Sequence, residues 1–169
     1  PAQSYPFFLY IPSAIGIAIG RILDINILYG IYLGKVFNFI IYVSIGYYAI
    51  KKMPFGKIVT FVYLLLPMIL CQAISLSADS ILNSLIVLYI AFILQLFYKE
   101  KITQMDKILC MILPIIISIS KLTYFPIVGL NFLLINKKEF DKKEKYIVLG
   151  LGTVICLVSV ILYYLYTTS

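Results

Sequence analysis

Residues 25–52 read INILYGIYLGKVFNFIIYVSIGYYAIKK, and this stretch decides the class of the fold. Lys35 is its one charged residue before the closing pair Lys51-Lys52. A helix needs about 20 apolar residues to cross the hydrocarbon core of a bilayer. Two tyrosines stand shortly before the lysine pair, in the order of an aromatic belt followed by cytoplasmic charge. The stretch therefore predicts a transmembrane helix over Ile25–Ile50 that ends at the cytoplasm.

Most of the other basic residues are grouped in the same way. Three clusters are separated by long apolar runs: Lys51, Lys52 and Lys57; Lys99, Lys101 and Lys107; and Lys137, Lys138, Lys142, Lys143 and Lys145. The run Ile58–Phe97 is long enough to cross the bilayer twice, and Ile108–Ile135 can enter the bilayer and return as a hairpin. All three clusters then lie on one side, which the positive-inside rule assigns to the cytoplasm. We therefore expect an integral plasma-membrane protein with a fixed orientation.

The composition excludes an ordinary soluble domain, because 63% of the 169 residues are hydrophobic and only 12% are charged. Membrane topology and anionic cytoplasmic lipid explain the net charge of +7. Nucleic-acid binding would need a continuous basic footprint, whereas apolar runs separate the lysines here. We expect the lipid bilayer as a partner and no nucleic acid.

Further apolar segments flank the first span. Pro6–Gly20 is short for a crossing and Pro12 interrupts it, which favours an interfacial or re-entrant helix. After the span come two longer segments, two short ones that read as a hairpin, and a final exit: Ile58–Ile74, Ile81–Tyr98, Ile108–Ser120, Leu122–Ile135 and Tyr146–Tyr166. Pro67 lies near the middle of the first of these, so a neighbouring helix must satisfy the carbonyl that it frees.

The predicted fold is all-α: a polytopic transmembrane helical bundle of about six membrane-embedded segments plus an N-terminal interfacial helix. One domain covers residues 1–169. The chain begins without Met and without a signal-peptide pattern, so we expect it to be part of a longer protein.

The residue types present limit the chemistry. The sequence has no histidine, which excludes histidine-based acid–base catalysis. Cys71, Cys110 and Cys156 each lie inside an apolar run, which favours burial as small hydrophobic side chains over a zinc site. No nucleotide or metal motif occurs. We expect no metal site and see no cofactor, although the sequence leaves dependence on a divalent metal open.

The unusual polar residues gather around one predicted elbow on the outer side. It runs over residues 75–80, with Ser77 as a candidate N-cap and Asp79 in the first helical turn. Gln72 precedes it, and Asn83 shares a helix face with Asp79 at i,i+4 spacing. Lys121 lies at the tip of the predicted hairpin, on the same side.

These groups suit a ligand that bears phosphate or hydroxyls. Lys35, near the outer end of the first span beside Asn38, would bind phosphate together with Lys121, and Arg21 is a further candidate. Asp79, Asn83 and Gln72 would bind hydroxyls or position the lysines. The expected set of lipid-phosphate and substrate ligands is therefore Arg21, Lys35, Gln72, Asp79, Asn83 and Lys121.

Structural explanations compete with each of these assignments. Asp79 can simply complement a helix N-terminus, Lys35 can snorkel outward without a ligand, and Lys121 can pair with Asp79 as a structural bridge. Arg21 is spaced for a local ion pair with Asp24. Two small-residue motifs, Gly16-x-x-x-Gly20 and Gly30-x-x-x-Gly34, predict close helix contact only.

Several stretches resemble a known superfamily. YPFFLYIP at 5–12 and AIGIAIGR at 14–21 look like the stretch after the first extracytoplasmic loop of the GT-C membrane glycosyltransferases. LGKVFN at 33–38, LP at 66–67 and QAISLSADS at 72–80 continue the likeness. The chain resembles most closely an uncharacterised group of bacterial polytopic membrane proteins related to that superfamily.

The resemblance implies a GT-C-like enzyme of the cell envelope. Such an enzyme moves a sugar from a polyprenyl-phosphate carrier to a glycan or protein acceptor outside the cytoplasm. The catalytic acid of these families usually lies in the first outer loop, so the resemblance places it, with the first span, upstream of Pro1. Asp79 would then support the pocket, and Lys35 and Lys121 would bind the carrier phosphate.

Two other classes of function compete with the glycosyltransferase. A transporter or flippase of lipid-linked glycans, or a polymerase, would need polar groups that continue inward, where the chain offers little beyond Ser44, Thr60 and Gln95. A noncatalytic assembly subunit needs neither a pathway nor a catalytic acid.

Overall fold

A computed structural model of the chain describes residues 5–99 and 102–134, together with the single positions 154, 158 and 161. Throughout these residues the regular elements are helical, with no strand, which confirms the all-α class. The chain divides into two compact units, Pro1–Ala91 and Phe92–Ser169. The expectation of a single domain stays a prediction, and the predicted exit Tyr146–Tyr166 lies outside the described residues apart from the three single positions.

The described elements follow one another in this order: a 3-10 helix Phe7–Tyr10, α1 Ile11–Ile22, α2 Ile27–Lys52, α3 Lys57–Leu64, α4 Pro67–Ala73, α5 Ala78–Tyr98, α6 Gln104–Ser120, and a 3-10 segment Leu122–Leu134. Of the described helices, α2 and α5 are long and apolar enough to cross a membrane. Both were expected as spans. Within residues 5–99 and 102–134 the fold is thus helical with two candidate spans, and the other segments that the sequence predicts there are shorter or interrupted helices.

A single stripe of α2 carries its contacts. Asn26 caps the helix, its side chain accepting a hydrogen bond from the Leu28 amide at 3.2 Å. The buried residues of α2 recur at every third or fourth position along its whole length: Gly30, Gly34, Asn38, Tyr42, Gly46 and Ala49. Residues at this spacing share one helix face. Different elements pack against the beginning, the middle and the end of this stripe.

Helix α1 packs against the first part of the stripe. A Cβ atom at Gly16 would lie 2.7 Å from the Cα of Gly34, and one at Gly20 would lie 2.8 Å from the Cα of Gly30. The two backbones are therefore in contact and antiparallel, which confirms the close helix contact predicted from the glycine spacing. A helix packed along a membrane-spanning helix does not lie flat on the surface, so the packing favours the re-entrant alternative over an interfacial helix.

The segment Ile58–Ile74, predicted as one span with Pro67 near its middle, is divided into two short helices, α3 and α4. The residue before a proline is driven out of helical geometry, and Leu66 accordingly has ψ 133° before Pro67. The Tyr42 hydroxyl donates to the Leu64 carbonyl at 2.7 Å. The carbonyl that Pro67 frees is that of Tyr63, four residues earlier, and it accepts from the Leu66 amide at 3.1 Å. A neighbouring helix thus satisfies a carbonyl at the break, but not the one that the proline frees.

Helix α5 begins beside the middle of α2 and runs parallel to it. Ser80 contacts Asn38, and Val87 and Ala91 join the buried cluster that includes Tyr42 and Ala49. The cluster also contains residues of α3 and α4, so a shared apolar core holds these four helices of the first unit together.

The second unit contains the predicted hairpin. Cys110 lies in the first half of α6 and Asn131 near the end of the 3-10 segment, and the Asn131 amide donates to the Cys110 carbonyl at 3.5 Å. The two segments therefore pack antiparallel. The second segment is a 3-10 helix, which rises about 2.0 Å per residue, so its 13 residues extend about 26 Å rather than the roughly 20 Å of an α-helix.

Candidate functional site

The polar residues expected at the outer elbow do form a connected cluster. The turn between α4 and α5, residues 74–77, is here called the polar turn. The Ser77 hydroxyl accepts from the Asp79 amide at 3.2 Å and so caps α5, as predicted. The Ser75 hydroxyl donates to the Gln72 carbonyl at 2.7 Å and accepts from the Ser77 amide at 3.1 Å. Serine side chains thus replace the helical hydrogen bonds that the turn interrupts.

Asn38 fixes the polar turn to α2. Its side chain is fully buried. The Nδ2 atom donates to the Ser75 carbonyl at 2.7 Å and to the Ser80 hydroxyl at 3.0 Å. The Oδ1 atom is buried and, within the described part of the chain, accepts no hydrogen bond. Rotating the amide would place oxygen against the Ser75 carbonyl, so the two donated bonds fix its orientation.

Gln72 and Asn83 bind each other across the polar turn. The Asn83 amide donates to Gln72 Oε1 at 2.7 Å, and both side chains are half-buried. This bond closes the end of α4 onto the first turns of α5. Each amide retains further donor and acceptor capacity, because an amide side chain has two N–H groups and two lone pairs.

Asp79 lies on the neighbouring part of α5 and receives a hydrogen bond from a residue that sequence analysis did not consider. The Tyr5 hydroxyl donates to Asp79 Oδ1 at 2.9 Å. Leu9, from the 3-10 helix, packs with Ala78 and Ile81 just beside this bond. Asp79 is therefore half-buried between the N-terminal segment and α5, where it also suits the positive end of the helix dipole.

Lys35 lies in the same unit, but it is not hydrogen-bonded to this cluster. Its Nζ lies 5.3 Å from the centroid of the Tyr32 ring, one turn toward the start of α2. At 1.5 Å per residue, Lys35 is about 12 Å and Asn38 about 16 Å along α2 from Ile27. The direction of the amine agrees with snorkelling, the structural explanation given above.

Arg21 and Lys121 are placed elsewhere. Arg21 is exposed in the last turn of α1. It forms no ion pair with Asp24, both being within the described range, because the helix ends at Ile22 and Asp24 adopts a left-handed conformation with φ 53°. Lys121 caps the end of α6 in the second unit, with its Nζ 5.8 Å from the Tyr124 ring centroid. Its meeting with Asp79 stays a prediction.

The first unit therefore brings together Gln72, Asp79 and Asn83 from the expected set. One carboxylate and several amides and hydroxyls can bind the hydroxyls of a ligand. Across the described residues, no group of three or more cysteine, aspartate or glutamate side chains could hold a metal ion.

Comparison with known proteins supplies a family. The family described as "Predicted membrane protein (DUF2142)" matches the chain over residues 1–169. The chain belongs to this family. No curated protein and no solved structure matches it. The membership agrees with the two membrane-length helices and with a place in a lipid bilayer.

Two residues of the hydrogen-bonded polar cluster, Asn38 and Tyr5, were not among the ligands that the sequence suggested. Asn38 was considered only as a neighbour of Lys35, although its i+4 spacing from Gly34 and Tyr42 is a readable sign that it faces the packed stripe. Tyr5 gave no sign, since it is 74 residues from Asp79 and looks like any other aromatic residue of an apolar segment.

Proposed function

We propose that this chain is the membrane part of a GT-C-type glycosyltransferase, which uses a polyprenyl-phosphate-linked sugar on the extracytoplasmic side. A hydrogen-bonded cluster of amides, hydroxyls and one carboxylate, held against the middle of a membrane-length helix, is the observation that carries the proposal. Polar and ionisable groups at membrane depth are costly, and they commonly mark a ligand site.

The residue types in the cluster support this class of ligand. Asp79, Asn83 and Gln72 can bind sugar hydroxyls through acceptors and donors on adjacent turns. Lys35, half-buried on the outer half of α2, can supply a positive charge for the carrier phosphate. In the proposal, Lys121 adds a second charge from the hairpin, and Arg21 a third at the membrane surface. The catalytic acid is a separate group outside this cluster.

A noncatalytic assembly subunit is the second candidate, because the polar side chains also hold one another. Gln72 pairs with Asn83, and Tyr5 with Asp79. Helix packing in membranes uses such bonds without any ligand. A transporter has less support, since Ser44 and Thr60 bond to carbonyls of their own helical segments, Ile40 and Gly56, and do not extend the cluster inward.

The test is sugar transfer by membranes that contain the full-length protein, with a panel of polyprenyl-phosphate sugars as donors. We expect Asp79→Asn and Lys121→Ala each to abolish transfer while membrane insertion is kept. Lys57→Ala is the matched control, because it removes an exposed lysine at the start of α3 and leaves the cluster intact. Retained transfer in both cluster variants would remove the proposed pocket. Normal envelope glycans after deletion of the gene would favour the assembly subunit.

A further inference from the structure

The turn that joins α1 to α2 carries an exposed apolar surface. This surface, here called the α1–α2 tip, comprises Ile22, Leu23, Ile25, Ile27, Leu28 and Tyr29. Ile22 is 82% exposed and Ile27 is 81% exposed. Soluble proteins rarely expose a contiguous apolar surface of this kind to water. Among residues 5–91 of the first unit, none covers them.

The length of α2 indicates that lipid covers the α1–α2 tip. The helix has 26 residues and is therefore about 39 Å long. A bilayer is about 30 Å thick across its hydrocarbon core and about 40–45 Å thick with its headgroup layers. With Lys51-Lys52 in the headgroups of one leaflet, the tip reaches the headgroup layer of the other leaflet without leaving the membrane.

Lys35 agrees with this placement. Its amine lies over the Tyr32 ring, one turn nearer the tip than its own Cα. A lysine inside the hydrocarbon core extends its amine toward the nearer headgroup layer and leaves its stem in lipid. Tyr29 and Tyr32, both exposed, would lie near that boundary, where tyrosines are enriched in membrane proteins.

We infer that the α1–α2 tip is inserted in the interfacial layer of the leaflet opposite Lys51-Lys52, with phospholipid as the partner of its apolar side chains. A consequence follows for the polar turn. Asn38, to which it is bound, is 11 residues or about 16 Å below Ile27, so the turn lies inside the hydrocarbon region and not at the surface. The placement does not depend on sugar transfer.

The test measures depth in vesicles of phosphatidylcholine and phosphatidylglycerol that contain the full chain. The three native cysteines are replaced by serine, and a single bimane-labelled cysteine is introduced by Ile27→Cys or, as the control in the turn between Lys52 and Lys57, by Phe55→Cys. A third sample restores only Cys71, which is exposed on α4 near the polar turn. Quenching by iodide reports water, and quenching by shallow or deep doxyl-labelled phosphatidylcholine reports depth in lipid.

Iodide should quench the label at position 55 at least several-fold more than the label at 27. The label at 27 should respond best to the shallow lipid quencher and the label at 71 to the deep one. Iodide quenching at 27 equal to that at 55 would place the tip in water. A label at 27 that is protected from iodide and from both lipid quenchers would place it against protein. Either result overturns the inference.

Discussion

At the scale of single residues, Asn38 connects more of the first unit than any of the expected ligands. One buried amide joins α2 to the last residues before α5 and to α5 itself, through the Ser75 carbonyl and the Ser80 hydroxyl. The Ser80 hydroxyl is buried and the Ser75 carbonyl lies in a half-buried turn, so losing the Asn38 donor leaves both acceptors with little access to water. An acceptor that is buried without a partner costs about 1–3 kcal/mol.

Asn38→Leu keeps a similar volume but removes both donated bonds. We expect it to lower the free energy of unfolding by about 2–3 kcal/mol, because two acceptors lose their partner. Ser44→Ala is the control: Ser44 is exposed on the same helix, and its hydroxyl bonds only to the Ile40 carbonyl one turn away. Denaturation in mixed micelles with increasing dodecyl sulfate measures both. Equal stability of the two variants would show that the Asn38 bonds do not hold the turn.

Asp79 and Tyr5 form the second residue-scale pair. Tyr5→Phe, Asp79→Ala and the double variant make a cycle that isolates their interaction. We expect a coupling free energy of about 1.5 kcal/mol, the lower end of the range for a hydrogen bond to a charged group, because the pair is only partly buried. Unfolding in mixed micelles gives the values. Additive effects of the two single changes would mean that Asp79 is held by its other contacts.

At the scale of elements, the break between α3 and α4 and the pairing of α1 with α2 show how far local sequence determines structure. Gly16, Gly20, Gly30 and Gly34 indicated close contact, and the structure confirms it. Pro67 indicated a freed carbonyl but not the full break, since prolines in membrane helices are often accommodated by a kink. The hydrogen bond from Tyr42 to the adjacent Leu64 carbonyl depends on tertiary packing.

Gly16 and Gly30 provide a matched pair of variants for the α1–α2 contact. The Cβ atom of Gly16→Ala would lie 2.7 Å from backbone atoms of α2 and would force the helices apart, whereas that of Gly30→Ala would meet nothing within 4 Å. We expect Gly16→Ala to lose about 1–3 kcal/mol, as overpacking usually does. Gly30→Ala should be neutral or gain up to about 1 kcal/mol from helix propensity. Thermal unfolding in detergent compares them, and equal losses would contradict the packing.

The start of α6 makes stability depend on pH. Partial burial raises the pKa of Asp106, but hydrogen bonds from Lys99 and from the Thr103 backbone and hydroxyl outweigh it, so the pKa lies below its ordinary value. A carboxylate with a lowered pKa stabilises the fold above the pKa that it has in the unfolded chain. That contribution is lost as the pH falls through the folded value.

Asp106→Asn should therefore destabilise α6 at neutral pH and progressively less as the pH falls through the lowered pKa of Asp106, below which the wild-type carboxyl is also protonated. Thr103→Ala, which removes the other half of the capping box, should cost about 1 kcal/mol at neutral pH. Hydrogen exchange of the α6 amides reports both variants. A loss in Asp106→Asn that does not change with pH would show that its charge is irrelevant.

At the scale of the whole molecule, composition was enough to predict a helical membrane protein, and the family match agrees. The elbow at Ser77 and Asp79 was also predictable, because capping residues and dipole complements follow local rules. The position of that elbow beside the middle of α2 was not. It depends on the break between α3 and α4 and on the contacts that Asn38 forms there, and neither feature is visible in hydropathy.

Disulfide cross-linking in native membranes tests the docking of the polar turn onto α2 most directly. In a background where the three native cysteines are serine, Asn38→Cys with Ser80→Cys should form a cross-link under mild oxidation, since these side chains are within hydrogen-bonding distance, 3.0 Å. Ser44→Cys with Ser80→Cys should not, because Ser44 is exposed on another face of α2. Cross-linking of the second pair and not the first would contradict the account.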